Sequence, residues 1–184
     1  MEPSILLQEP DVDEKMKLNA SAKERIAKYA AETIRPNDFV FIDAGTTTGK
    51  MIAYITQKDV TFVTNAFNHA HLLARRGFKV YLTGGEVKTT TEALVGVGCV
   101  ETINRYNFTK CFLGTNGIHT EIGYTTHNID EASVKRAVVQ KSYLTYILAD
   151  HSKFGKSAAV TFADIGNACI LTDKLPDDRY KECT

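Results

Sequence analysis

The chain has 184 residues, 43% of them hydrophobic, and its 22 Lys and Arg balance 22 Asp and Glu for a formal net charge of zero. That length suffices for one domain with a full core, and the balanced charge leaves no basic field to hold a nucleic-acid backbone, which argues against DNA binding by this chain alone. The four cysteines, Cys99, Cys111, Cys169 and Cys183, form no C-x-x-C pair and three lie in apolar runs, a pattern of reduced, buried thiols in a cytoplasmic protein rather than of a metal site.

Residues 2–19, with Pro3, Pro10 and scattered charges, read as a linker or arm with no strong structural preference. The stretch 1–17 lacks the apolar centre of a signal peptide, and no run reaches the length of a membrane span. Ser21-Ala22-Lys23-Glu24 has the form of a capping box, and Ile26, Ala30, Ala31 and Ile34 make an apolar helical face before Pro36. Phe39–Ile42 has the length and the β-branched or aromatic content of a buried strand, and Met51, Ile52 and Ile55 recur at helical spacing after it. Strands are then expected at 60–63 and 78–82, around a helix over 66–76 that Gly77 stops. A helix over 93–105, a strand at 110–114, a helix over 130–141, a strand at 143–149 and short strands at 160–162 and 169–172 follow. Gly96-Val97-Gly98 imitates a dinucleotide fingerprint, but the third glycine is missing and the stretch is apolar, so helix packing is the expected role. Strands alternating with helices at this spacing predict a mainly parallel sheet covered on both faces, with ligands gathering at the carboxyl ends of the strands.

The turn after Phe39–Ile42 joins strand to helix and carries an acid, a glycine and three threonines, Asp43, Gly45, Thr46, Thr47 and Thr48. Backbone N–H groups at a helix start have no intrahelical partner, and threonine hydroxyls add donors, so phosphate is the natural guest. A Walker loop is excluded: three residues separate Gly45 from Gly49, and Met51 follows Lys50 where a hydroxyl residue is needed. The plain alternative is a threonine-rich turn that only caps its helix. Polar clusters recur after later strands, namely Thr64-Asn65, Thr83-Gly84-Gly85-Glu86, Thr115-Asn116-Gly117 and Asp150-His151-Ser152-Lys153. In a parallel α/β sheet these tips share one rim. Asn65, Gly85, Glu86, Asn116, Gly117 and Lys153 therefore join the 43–48 turn as candidates around a phosphorylated polyol, although Asn-Gly and Gly-Gly are also ordinary turn formers. Asn128 is placed to cap a helix on which Glu131 and Lys135 lie four apart, either both projecting into that cavity or forming a surface ion pair. His69 and His71 are two apart and make no zinc pair, while His119, His127 and His151 lie in expected loops near the rim.

In order along the chain, DAGTTT at 43–48, TN at 64–65, GGE at 84–86, LVG at 94–96, NGI at 116–118, EASVKR at 131–136 and DHSKFGK at 150–156 resemble the C-terminal effector-binding domain of the DeoR family of sugar-responsive transcriptional repressors. The resemblance covers about Ser21 to Asp173. It implies a Rossmann-like three-layer α/β fold, similar to ribose-5-phosphate isomerase and the CoA transferases, that binds a phosphosugar and needs no cofactor or metal. It further implies a homo-oligomer, because a repressor on a two-fold operator needs paired reading heads. Family members are similar in carrying an N-terminal winged helix-turn-helix, for which there is no room before Ser21. The expected organisation is thus a linker or arm over 1–20, remaining from an absent DNA-binding domain, and a sensor domain over 21–184, with operator DNA a partner only through the missing part and no membrane association.

Two other functions use the same features. A sugar-phosphate isomerase would share the phosphate cradle but needs a general base near the sugar carbon; the isomerases of this fold are similar in placing acids after the central strand, where this chain has Asn116-Gly117-Ile118. A purely structural assembly domain would need neither convergent hydroxyls nor Lys153. Binding without turnover, and hence no catalytic residue, is the expected behaviour.

Overall fold

A computed structural model describes residues 2–184. The chain begins with β1 (Ser4–Ile5), α1 (Val12–Lys17), α2 (Ala20–Glu32), β2 (Phe39–Ile42), α3 (Thr46–Met51), β3 (Thr61–Thr64), α4 (Phe67–Arg75) and β4 (Lys79–Leu82). Next come β5 (Glu86–Val87), β6 (Leu94–Val95), α5 (Val97–Asn104), β7 (Phe108–Gly114), β8 (Gly117–His119) and β9 (Gly123–Thr126). It ends with α6 (Ile129–Gln140), β10 (Ser142–Leu148), β11 (Lys156–Ser157), β12 (Val160–Ala163) and β13 (Cys169–Leu171).

Six strands form one parallel sheet in the order β13-β10-β7-β2-β3-β4. The chain runs outward from β2 to β4, returns to lay β7 against the other side of β2, and runs outward again to β13. This reversal between β2 and β7 is a topological switch point, where an open α/β sheet leaves a crevice at the carboxyl ends of its strands. The central strands are apolar without interruption because both faces are covered. Val40, Ile42, Phe62, Phe112 and Leu148 pack with Ile26, Ala27 and Ala30 of α2 on one face. On the other, Phe41, Val63, Leu113 and Ile147 pack with Cys99 and Ile103 of α5 and Val134 and Val138 of α6. The Rossmann-like α/β fold with a parallel sheet is therefore as expected.

Several local expectations are corrected. The arm is structured: β1 pairs in parallel with β11, and α1 forms because the Asp11 side chain accepts from Glu14 N at 2.8 Å while Asp13 and Glu14 at its start and Lys15 and Lys17 at its end complement the helix dipole. The capping box at 21–24 does not form, because α2 starts earlier, with Asn19 as N-cap at φ 52 and no side-chain cap bond. The helix over 93–105 is broken at Gly96 (φ 94), so that β6 can pair antiparallel with β5 before α5 begins. Helix packing does not explain these glycines, since Cβ atoms at Gly96 and Gly98 would meet open space; Gly85 makes the close approach, where a Cβ would lie 2.4 Å from the Val95 carbonyl oxygen. Residues 160–162 form a strand but pair antiparallel with β9, in a separate sheet ordered β12-β9-β8 that packs by α6. His119 belongs to β8 and is buried, not in a loop.

Candidate functional site

The switch point is held together by one carboxylate. Asp43, directly after β2 and 2% exposed, accepts from Gly45 N (2.9 Å) and Thr48 Oγ1 (2.8 Å) on Oδ1, and from Gly114 N (2.7 Å) and Lys135 Nζ (2.5 Å) on Oδ2. Those four bonds use the lone pairs of a carboxylate and tie the β2 turn to the end of β7 and to α6. Burial works to raise the Asp43 carboxyl, but the Lys135 ammonium and the surrounding donors outweigh it and hold the group below the usual carboxylate range. Gly45 is required beside it, because a Cβ there would lie 2.9 Å from Thr48 Oγ1 and 3.0 Å from Asp43 Oδ1. His69 Nδ1 lies 2.8 Å from the Asp43 carbonyl oxygen, bracing the turn from α4.

Above this carboxylate an open cavity of about 100 Å³ is lined by Asp43, Gly45, Thr46, Thr47, Asn65, Asn116, Glu131, Lys135 and Lys153. Nine of the thirteen candidates thus share one space. Four do not line it. Thr48 turns inward to Asp43, Glu86 is exposed in β5, beyond the edge strand β4, Gly85 packs on Val95, and at Gly117 a Cβ would lie 2.5 Å from the Lys156 carbonyl oxygen. No histidine among the described residues lines the cavity; His151 instead lies 2.9 Å from the Asp173 carboxylate.

Glu131 and Lys135 do not pair with each other. Asn128 caps α6 through Asp130 N (2.9 Å) and Glu131 N (3.1 Å), and both side chains then reach away from the helix. Lys135 Nζ meets Asp43 and the Gly114 carbonyl oxygen (2.9 Å), whereas Glu131 accepts from Thr91 Oγ1 (2.7 Å) and pairs with Lys88 (3.3 Å). Tertiary partners far along the chain displace the surface pair that the spacing allows.

The cavity has a cationic side that the sequence reading missed in part. Lys23 of α2 is 4% exposed, and its Nζ donates to Thr46 Oγ1 at 3.2 Å and to the Lys15 carbonyl oxygen. Burial, then the neighbouring Lys153 charge, push Lys23 down to about 8 against the pull of Asp150. Burial also lowers Lys153, with Asp150 opposing and Lys15 and Lys156 adding to the shift. A signal for Lys23 was present: it stands three, four and seven residues before Ile26, Ala27 and Ala30, so a cation occupies the buried stripe of its helix. Val12 and Lys15 of α1 line the mouth. Elsewhere in the lining Asn116 Oδ1 accepts from Thr126 Oγ1 (2.9 Å), and Asn65 Nδ2 donates to the Leu94 carbonyl oxygen (3.0 Å). Asn65 Oδ1 is buried with no hydrogen-bond partner among the described residues, an acceptor in need of a donor.

The acids of the cavity are all engaged: Asp43 with Lys135, Glu131 with Lys88, and Asp150 with Asn19 Nδ2 (3.0 Å), Ser152 N (3.0 Å) and Ser152 Oγ (2.5 Å). Lys23 and Lys153 therefore face the space with less negative charge than they carry positive, the electrostatics of an anion receptor. Among the described residues no group of three or more His, Cys, Asp or Glu is placed to hold a metal ion, and no helix is long and apolar enough to cross a membrane.

A family model for the DeoR C terminal sensor domain matches residues 18–174. The chain is 42% identical over 180 residues to the HTH-type transcriptional regulator FruR of Bacillus subtilis, covering 96% of this chain and 72% of that protein. It is 31% identical over 157 residues to the glycerol-3-phosphate regulon repressor of Escherichia coli, covering 84% of this chain and 62% of that one. Among solved structures, ribose 5-phosphate isomerase A of Neisseria gonorrhoeae superposes with a TM-score of 0.53 at 18% identity, over 72% of this chain and 52% of the enzyme, a likeness of fold alone. With the ordered motifs from residue 43 to residue 156 set on one switch-point cavity, the chain belongs to the DeoR family, as its C-terminal sensor domain.

Proposed function

We propose that this domain is the effector sensor of a DeoR-family repressor of sugar catabolism, and that it binds a phosphorylated sugar whose occupancy changes operator binding by the whole protein. The observation that carries this reading is the pairing of two under-neutralised lysines, buried Lys23 and half-buried Lys153, with Thr46 and Thr47 in a cavity that the amides and hydroxyls of Asn65, Thr91, Asn116 and Thr126 also line. A phosphate meets the first set and a polyol the second, including the unpartnered Asn65 Oδ1. The name of the glycerol-3-phosphate regulon repressor, a relative across most of this chain, fits a phosphorylated effector. Engagement of Asp43, Glu131 and Asp150 by fixed donors favours binding over turnover, because a general base needs a carboxylate free to take a proton.

The test is a thermal-shift panel of ribose 5-phosphate, fructose 1-phosphate, fructose 6-phosphate and tagatose 6-phosphate against the unphosphorylated sugars, with aldose–ketose interconversion followed by NMR for every hit. A phosphate-dependent shift without turnover is expected. Turnover that Glu131→Gln abolishes would select the isomerase instead. Thr46→Val should weaken the hit about tenfold or more, since a hydrogen bond to a charged group contributes roughly 1.5–3 kcal/mol. Calorimetric affinity unchanged in Thr46→Val, with the melting curve intact, removes the hydroxyl from the phosphate site.

A further inference from the structure

The N-terminal arm is fastened to the domain in an unusual way. None of the residues of α1 is buried, and Leu7, Met16 and Leu18 are exposed, so apolar packing does not hold the segment down. Its attachments are polar and few. β1 lies on β11 through two residue pairs, with Ser4 N donating to the Gly155 carbonyl oxygen at 3.1 Å and Leu6 N to that of Ser157 at 2.9 Å. The Glu9 carboxylate bridges Lys15 (2.8 Å) on the arm and Lys88 (2.9 Å) on the body, and Lys88 in turn pairs with Glu131. Asn19 Nδ2 donates to Asp150, and Lys23 Nζ donates to the Lys15 carbonyl oxygen.

Each of the last three attachments falls on a group in or beside the cavity, so the arm is anchored to the site itself. Segments held by a few polar bonds and little apolar contact open at low free-energy cost, and their position is readily biased by a ligand that touches them. Lys15 offers that touch. It lines the mouth, faces the same space as Lys23 and Lys153, and has three N–H donors of which one goes to Glu9. Three ammonium groups around one space repel each other, and a bound anion relieves all three at once.

We propose that Lys15, presented by α1, is the anion ligand through which the N-terminal arm senses an occupied cavity, so that effector binding draws the arm onto the domain. This rests on the phosphosugar reading above and adds its regulation: whatever precedes the arm in a longer chain is reached through the segment that the ligand clamps. Glu9 is then the stand-in for the ligand, satisfying Lys15 while the cavity is empty.

Hydrogen exchange over residues 9–19 and over 43–48, measured on the whole chain with inorganic phosphate and then with fructose 1-phosphate, tests the proposal beside calorimetry. Wild type is expected to bind and to slow exchange severalfold in both segments. Lys15→Met should still bind, more weakly, and slow exchange at 43–48 but no longer at 9–19. Because Lys15→Met could loosen the arm for structural reasons, Glu9→Gln supplies a second readout. Freeing Lys15 from its carboxylate should tighten phosphate binding severalfold, and this gain should vanish in the Glu9→Gln/Lys15→Met double variant, a coupling that a merely structural role does not give. Binding that protects 43–48 and leaves the arm unchanged, or a gain in Glu9→Gln that survives loss of Lys15, overturns the proposal and spares the phosphosugar reading. Absence of binding by wild type to inorganic phosphate and to all four sugar phosphates of the panel overturns both.

Discussion

Lys135→Met is expected to destabilise the domain by about 3–5 kcal/mol, the usual cost of breaking a buried ion pair from one side. Asp43 is the reason. Its carboxylate is 2% exposed and cannot recover water when the ammonium is removed, although Gly45 N, Gly114 N and Thr48 Oγ1 still donate to it. For a domain of this size the corresponding fall in melting temperature is roughly 6–20 °C. Acid unfolding gives an independent check. In wild type the folded Asp43 carboxyl lies below its ordinary 3.8, so its contribution to stability is present above that value and is lost as pH falls through the folded pKa. Without Lys135, burial is opposed only by the hydrogen bonds, the folded pKa rises, and the stability loss starts at higher pH. Asp43→Asn in the same background removes the stranded charge and should restore part of the loss. A urea-unfolding difference below about 1 kcal/mol for Lys135→Met would show that the pair does not hold the switch point together.

Glu131 and Lys135 mark the boundary of what the sequence discloses, since their spacing allows both a surface ion pair and two cavity residues. Strands β2, β3, β7 and β10 were legible because both of their faces are buried, which forces uninterrupted apolar runs such as Phe39–Ile42. Strands β8 and β9 were not, since Gly117–His119 and Gly123–Thr126 carry no apolar alternation. Their order comes partly from internal polar bonds, such as those of Thr115 Oγ1 to the carbonyl oxygens of Gly117 (2.9 Å) and Thr125 (3.0 Å). For the site, the ends of β2, β3, β7 and β10 each bring a candidate to the cavity, Asp43, Asn65, Asn116 and Lys153, although Gly117 after β7 packs against Lys156 instead. At the edge strand β4 the rule fails, and Gly85 and Glu86 leave with the chain toward β5. The arm was missed because its contacts lie with residues far along the chain, Glu9 with Lys88 and Asn19 with Asp150, and no local pattern encodes a partner 79 or 131 residues away.

Effector affinity is expected to fall as pH rises from about 8, by up to tenfold per pH unit, because the anion binds Lys23 in its charged form. Burial, Lys153, Lys50 and Lys15 push the Lys23 ammonium down to about 8 against Asp150, so above that pH binding must first take up a proton. The second pKa of a sugar phosphate is about 6, so the ligand is almost wholly dianionic above about pH 7.5, its charge is nearly constant across the window, and the slope belongs to the protein. Lys23→Met should lower affinity about 10- to 100-fold near pH 7 and flatten the profile. Lys153→Met should lower affinity similarly, weaken its salt dependence, and move the inflection to higher pH by removing the cation beside Lys23. Stability supplies a check of opposite sign. In the empty domain folded Lys23 loses its proton near 8 while the unfolded chain keeps it to its ordinary 10.5, so between these values the unfolded state binds more protons and this group makes stability rise with pH. A saturating phosphosugar returns the folded pKa toward the ordinary value and cancels that rise. Calorimetric affinity that stays constant from about pH 7 to pH 9 would place Lys23 outside the anion site, whatever its burial.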